Sequence, residues 1–215
     1  MRRALALVAT LALAGCGEES SRTGKAVADP GADRKAAAAS ALTVKDFPAG
    51  WTAEAPDRSG EAMCTITEAT ERTGVGSAWL GFNHGELGGL SHRVFVFPDE
   101  AAAKSAFAVF SEMESLTCAA DEFKATHAKE EGIEVVDIVT SSEPTTAIGD
   151  ATAANHMTMV MREDGEEGEI KMDMVAVREA RGIGVFLLTA QQPIDPTLRD
   201  RLLRVIANRL AKNAG

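Results

Sequence analysis

Tyrosine is absent from this chain of 215 residues, and only two Trp occur. A carbohydrate-binding platform of stacked aromatic rings is therefore poorly supplied. Cations are scarce as well: 22 Lys and Arg stand against 32 Asp and Glu, a formal charge of −10. A nucleic-acid binder needs a basic face to displace counterions, so that class is excluded. Electrostatic docking on anionic lipid is disfavoured for the same reason. No Gly-x-Ser-x-Gly elbow and no His-Glu-x-x-His pair occurs. The glycines at 74, 76, 81, 85, 88 and 89 are not followed by the Gly-Lys-Ser/Thr of a phosphate loop. The four His (84, 92, 127 and 156) lie far apart; His84 and His92 alone could meet, across a hairpin. The expectation is a protein that is not an enzyme and carries no cofactor or metal. What remains is ordinary for a globular domain: 45% hydrophobic and 25% charged residues, which excludes whole-chain disorder and a collagen-like fibre.

The first thing present is an address. Arg2 and Arg3 form a basic start, and Ala4 to Ala14 are apolar apart from Thr10. The run is too short to span a bilayer, which takes about 20 residues, and it fits the apolar core of a signal peptide. Leu13-Ala14-Gly15-Cys16 closes it. That quartet resembles the bacterial lipobox, which implies cleavage before Cys16 and a diacylglycerol on its thiol. The flanks of Arg2-Arg3 do not match a twin-Arg signal. Two acyl chains meet the requirement for stable anchoring. Loss of Arg2 and Arg3 with the leader leaves 20 bases against 32 acids, or −12. Gly17 to Ala41, rich in Ala, Gly, Ser, Asp and Lys, reads as a flexible tether reaching on the order of 25–30 Å. Residues 1–15 are thus expected to be a signal peptide, 16–41 an anchored tether and 42–213 one domain.

Three Cys occur. With Cys16 lipidated, Cys64 and Cys118 remain, an even number in an exported domain, where a disulfide is the default. It would close a loop of about 54 residues, for which chain entropy gives about 4 kcal/mol. The alternative is a pair of metal-binding or redox thiols, but no Cys-x-x-Cys spacing occurs.

Within the domain, Leu42 to Phe47 is one helical turn or a strand, and Cys64 to Ile66 is a short strand. Further strands are expected at Ser77–Phe82, Leu90–Phe97, Ile133–Thr140, Ala153–Met161, Glu169–Arg178 and Ile183–Ala190. Ala153–Met161 and Glu169–Arg178 form a long hairpin around the acidic tip Glu163, Asp164, Glu166, Glu167 and Glu169, which lacks the ligand pattern of a calcium loop and reads as a solvated turn. Pro98-Asp99-Glu100 opens a helix whose apolar stripe is Ala103, Ala106, Phe107, Phe110 and Met113. Asp195-Pro196 opens another, with Leu198, Leu202, Val205, Ile206 and Leu210 inward. Four consecutive strands without a helix require an antiparallel sheet. The expected class is α+β: a twisted antiparallel sheet of five to seven strands packed with two amphipathic helices.

Several segments carry a further resemblance. They are the lipobox, Thr43-Val44-Lys45-Asp46-Phe47-Pro48-Ala49-Gly50-Trp51, the passage Val94-Phe95-Val96-Phe97-Pro98-Asp99-Glu100-Ala101 leading to Cys118, and Ile148-Gly149-Asp150-Ala151. Together they resemble small actinobacterial lipoproteins similar to the extracytoplasmic sensor domain of receptor Ser/Thr kinases. The resemblance implies a twisted antiparallel sheet carrying two helices around a cleft, and a role in ligand sensing. Those sensor domains hold two disulfides where one can form here.

One constellation is unusual. Met157, Met159 and Met161 alternate on one strand, and Met172 and Met174 on its hairpin partner, so five of the eight Met share one patch. Three readings stay open: core beneath a helix, an apolar pocket for a lipid or small hydrophobe, or Cu(I) held by thioethers, with His156 badly placed on the other face. The sequence therefore points to a lipoprotein on the outer face of the cell membrane, held by lipidated Cys16. It is expected to bind an apolar or amphipathic small molecule or an envelope protein. The alternative is a lipid carrier between envelope layers.

Overall fold

The computed structural model describes residues 29–55, 74, 76–85, 88–111, 120–121, 124–125, 133–163, 165–190 and 195–215. Seven strands form one open antiparallel sheet: β1 (Thr52–Glu54), β2 (Gly76–His84), β3 (Gly88–Val96), β4 (Ile133–Ser142), β5 (Ala151–Glu163), β6 (Glu166–Glu179) and β7 (Gly182–Ala190). Their order across the sheet is β1-β2-β3-β7-β6-β5-β4. Three helices accompany it among the described residues: α1 (Pro30–Ser40), α2 (Glu100–Ser111) and α3 (Pro196–Asn213). None of the described helices is long and apolar enough to cross a membrane. The α+β class and the twisted antiparallel sheet are as expected, and β7 is the central strand.

Two cores lie on opposite faces. On the first face α1 packs against β2 and β3, and α3 against β6 and β7. There Leu90, Val94, Val96, Phe186, Leu188, Val175 and Val177 meet Leu202, Leu203, Ile206 and Leu210. Gly182 and Gly184 let α3 come close: a Cβ there would stand 2.4 Å from Leu210 Cδ2 and 2.3 Å from Ile206 Cγ2. On the second face α2 sets Ala103, Ala106, Phe107 and Phe110 against Phe95, Phe97, Ala176, Ile183 and Val185. The alternation of Leu90, His92, Val94 and Val96 against Phe95 and Phe97 therefore divides the two cores as the strand period requires.

The sequence reading needs correction in four places. The tether does not run to Ala41. Its second half is α1, capped by Asp29, whose carboxylate accepts from Gly31 N at 2.9 Å, with Pro30 in the first turn. Asp33 is 2% exposed and meets Arg181 at 2.8 Å. Composition hid this helix because its buried side holds Asp33, Ala37 and Ser40 rather than large apolar residues, with Ala41 covered just beyond it. Packing among the described residues accordingly starts at α1, and three helices accompany the sheet there rather than two. Second, the leading strand is Thr52–Glu54, paired with β2. Third, the strands expected at Ser77–Phe82 and Leu90–Phe97 reach further toward each other, since β2 runs to His84 and β3 starts at Gly88. Fourth, the hairpin turn is tighter than the acidic tip implied: Glu163 pairs with Glu166, leaving positions 164 and 165, with Gly165 at φ 89°. The turn over Leu42–Phe47 is a 3₁₀ helix, Val44–Asp46. The expected strand Cys64–Ile66, Met113 of the α2 stripe and His127 lie outside the described residues.

Candidate functional site

Cys16, Cys64 and Cys118 lie outside the described residues, as does the signal segment 1–15. The methionines fall on the hairpin, where cross-strand register brings them together: Met157 faces Met172, and Met159 faces Ile170. Met157, Met159 and Met172 are 3%, 1% and 5% exposed and form a third apolar cluster with Ala120, rimmed by Ile138, Ile170 and Leu187. It lies on the α2 face of the sheet but apart from the α2 core. Met174, partly buried, packs instead against that core. Met161, opposite Gly168, is half-buried toward the tip. Five methionines on one face thus divide into a buried trio, one packed against the α2 core and one at the rim. Flexible thioethers suit such a boundary between packed regions, because they refill irregular space with little strain.

The opposite face of the same strands carries polar chemistry that the sequence reading passed over. His156 Nδ1 lies 2.6 Å from Asp173 Oδ1, and His156 Nε2 lies 3.0 Å from Thr158 Oγ1. A carboxylate only accepts, so Nδ1 carries the proton and Nε2 takes the hydroxyl hydrogen of Thr158 in the neutral ring. Hydroxyl, imidazole and carboxylate therefore stand in the order of a nucleophile, its base and the group that orients the base. However, β5 lies between β4 and β6, and its amides serve the two ladders. Among the described residues no spare backbone donor beside Thr158 is left to hold an oxyanion. The trio acts as a polar clasp between β5 and β6. Only register could have revealed it: Asp173 and His156 are 17 positions apart but directly opposed.

The remaining described histidines are structural. His84 and His92 do not meet: His84 faces Gly88, and His92 faces Leu80. His92 is fully buried, and its Nδ1 donates to Val185 O at 3.0 Å. Its Nε2 has no partner among the described residues. Burial pushes its pKa down to about 4, partly opposed by the Val185 bond. Close by in charge terms, Arg209 grips Asp46 with both nitrogens, at 2.9 and 2.8 Å, and also reaches Ala41 O. Burial alone would raise the Asp46 carboxyl, but the bonds from Arg209 and Thr43 outweigh it and hold the group below its usual range. This grip ties the 3₁₀ turn to α3. Among the described residues no three His, Cys, Asp or Glu converge as metal ligands.

No family model matches the chain, and no curated protein does. Among solved structures it is similar to the extracellular domain of PknH from Mycobacterium tuberculosis, at 12% identity and a TM-score of 0.46. The match covers 83% of this chain and 96% of that one.

Proposed function

We propose that this protein is a lipoprotein anchored by a diacylglycerol on Cys16 to the outer face of the cell membrane. Its α+β domain binds a small apolar or amphipathic ligand without turning it over. The observation that carries the ligand reading is the methionine trio. Met157, Met159 and Met172 form an apolar cluster separate from both helix-packed cores, and thioethers adapt to irregular guests. The polar clasp on the far face lacks, among the described residues, an oxyanion donor beside Thr158, which favours binding over catalysis.

Met159→Ala and Met172→Ala test the ligand reading. In a pocket wall each costs well under the roughly 2–5 kcal/mol of a core truncation and weakens uptake of an apolar fluorescent dye severalfold. A loss of about 2–5 kcal/mol with unchanged dye uptake refutes it. The anchor is tested separately: Cys16→Ala abolishes metabolic labelling with palmitate, and membrane retention of a processed, unlabelled variant overturns that part.

A further inference from the structure

Charge is unevenly placed in this molecule. Residues 29–46 and 195–215, which build α1, the 3₁₀ turn and α3, hold eight Lys and Arg against five Asp. Residues 133–190, which build β4 to β7, hold four Lys and Arg against eleven Asp and Glu. The formal charge of −10 therefore conceals a basic helix layer joined to an acidic half of the sheet. The five acids of the helix layer are all engaged. Asp29 and Asp195 cap α1 and α3. Asp33 meets Arg181, and Asp46 meets Arg209. Asp200 accepts from Thr146 at 2.8 Å and lies 3.5 Å from Arg199.

Several cations are left over. Lys35, Lys45, Arg204 and Lys212 are exposed, and their side chains make no hydrogen bond or ion pair among the described residues. Arg201 is exposed too, and donates to a carbonyl, Asp46 O, at 3.0 Å. The helical period sets Thr197, Arg201, Arg204, Asn208 and Lys212 on one stripe of α3, turned away from the buried Leu202, Ile206 and Leu210. That stripe contains no acid. It continues sideways onto the neighbouring elements. The Arg201 bond brings Lys45, next to Asp46, alongside it. At the other end Asn213 Nδ2 donates to Ser40 Oγ at 3.3 Å, which joins the last turn of α3 to that of α1. Val44, 38% exposed, stands beside Lys45 as an exposed large hydrophobic within the basic layer.

We infer that the outer side of α1, the 3₁₀ turn and α3 is a docking face for an anionic phospholipid surface. Each Lys or Arg held near such a surface adds roughly fivefold in affinity. The acids of β4 to β7 are repelled by it, so the domain docks with its helix layer down and its acidic hairpin tip away. Two observations favour lipid over an acidic protein. Val44 offers an apolar side chain among the cations, which a bilayer interface accepts. Cys16 lies thirteen residues before Asp29, so the face that begins with α1 is the one tied nearest the anchor. The second observation rests on the anchor proposed above; the charge pattern does not. Whole-chain charge argues against such docking only because it averages two regions of opposite sign.

The test uses the chain from Cys16 onward with that thiol unmodified, so that docking and anchoring can fail separately. Cosedimentation compares vesicles of phosphatidylcholine alone with vesicles holding about one third phosphatidylglycerol. The anionic vesicles are expected to bind at least about tenfold more tightly, and the difference to vanish near about 1 M salt, where charges are screened. Lysine acetylation read by mass spectrometry is expected to fall on the anionic vesicles at Lys35, Lys45 and Lys212 and to stay unchanged at Lys104, exposed on α2. The triple variant Lys35→Glu, Arg204→Glu, Lys212→Glu changes exposed side chains without partners and is expected to bind at least about tenfold more weakly, while Lys104→Glu binds as before. Equal binding to the two vesicles, protection that includes Lys104, or full affinity in the triple variant overturns the proposal. Tighter binding to polyglutamate than to the anionic vesicles also overturns it, by assigning the face to an acidic protein segment.

Discussion

The sheet has a clad half and a bare half. Around β7 and the proximal part of β6 both faces are covered: α3 lies on one and α2 on the other, α1 covers β2 and β3, and ion pairs fasten the margins through Asp33–Arg181 and Asp46–Arg209. Over the distal parts of β4, β5 and β6 the first face stays exposed around Val139, and stability there comes from cross-strand pairs such as His156–Asp173 and Arg162–Glu134. The same secondary structure thus serves two purposes. Where helices cover it, the sheet is a foundation; where they stop, its side chains remain available. Exposed positions in the bare half, such as Val139, can change with little effect on the helix-packed cores.

The contrast predicts a gradient of effects. Phe186→Ala, at the fully buried centre of the helix-covered face, is expected to cost about 3–5 kcal/mol in urea unfolding. A loss below about 1 kcal/mol would show that α3 does not bear on the sheet as described. Next is pH. His92 has a folded pKa of about 4, below its unfolded value near 6.5. The unfolded chain therefore binds a proton that the native chain refuses, so stability is full above about pH 6.5 and falls as pH drops toward 4. The loss is on the order of 3 kcal/mol. His92→Leu is expected to flatten this window in unfolding measured from pH 7 to 4, and an unchanged slope would assign the effect to another group. Asp33→Ala comes third. It strands Arg181, whose side chain is 27% exposed, so the cost is about 2 kcal/mol rather than the full penalty of a buried pair. Limited proteolysis would then cut within 30–40; resistance there would show that α1 holds without its ion pair. Val139→Thr, in the bare half, should shift stability by less than about 0.5 kcal/mol, and a larger shift would mean that β4 is covered after all.

Sequence reading succeeded where large side chains repeat at a fixed period. β3 and α3 each announce their inward faces through Val, Phe, Leu and Ile. It failed where the inward side chain is small or the pairing distant. α1 buries Asp33, Ala37 and Ser40, so its pattern resembled a solvated linker, yet Asp29-Pro30 is the same start signal as Asp195-Pro196, which was read as the opening of α3. β1 has three exposed residues and no alternation to detect. For the candidate site, the methionine patch was visible as alternation on two adjacent strands. Its division between two clusters was not, because that depends on where α2 ends above the sheet. The clasp of His156, Asp173 and Thr158 needed the hairpin register, which only a correctly placed turn supplies.

Docking of α1 also bears on how far this domain can work from its anchor. Thirteen peptide steps separate Cys16 from the cap at Asp29, so covalent geometry holds the two within roughly 45 Å, however the intervening chain is arranged. A domain starting at Leu42 would have been allowed about twice that distance. The beginning of α1 sits beside Gly76 and Arg181, at the end of the sheet opposite the β5–β6 turn. Were Cys16 held in the bilayer as proposed, eleven residues wound into a helix would set a height limit. The domain would then patrol a thin layer above its own leaflet, and whatever it met would already be at that surface or be delivered to it.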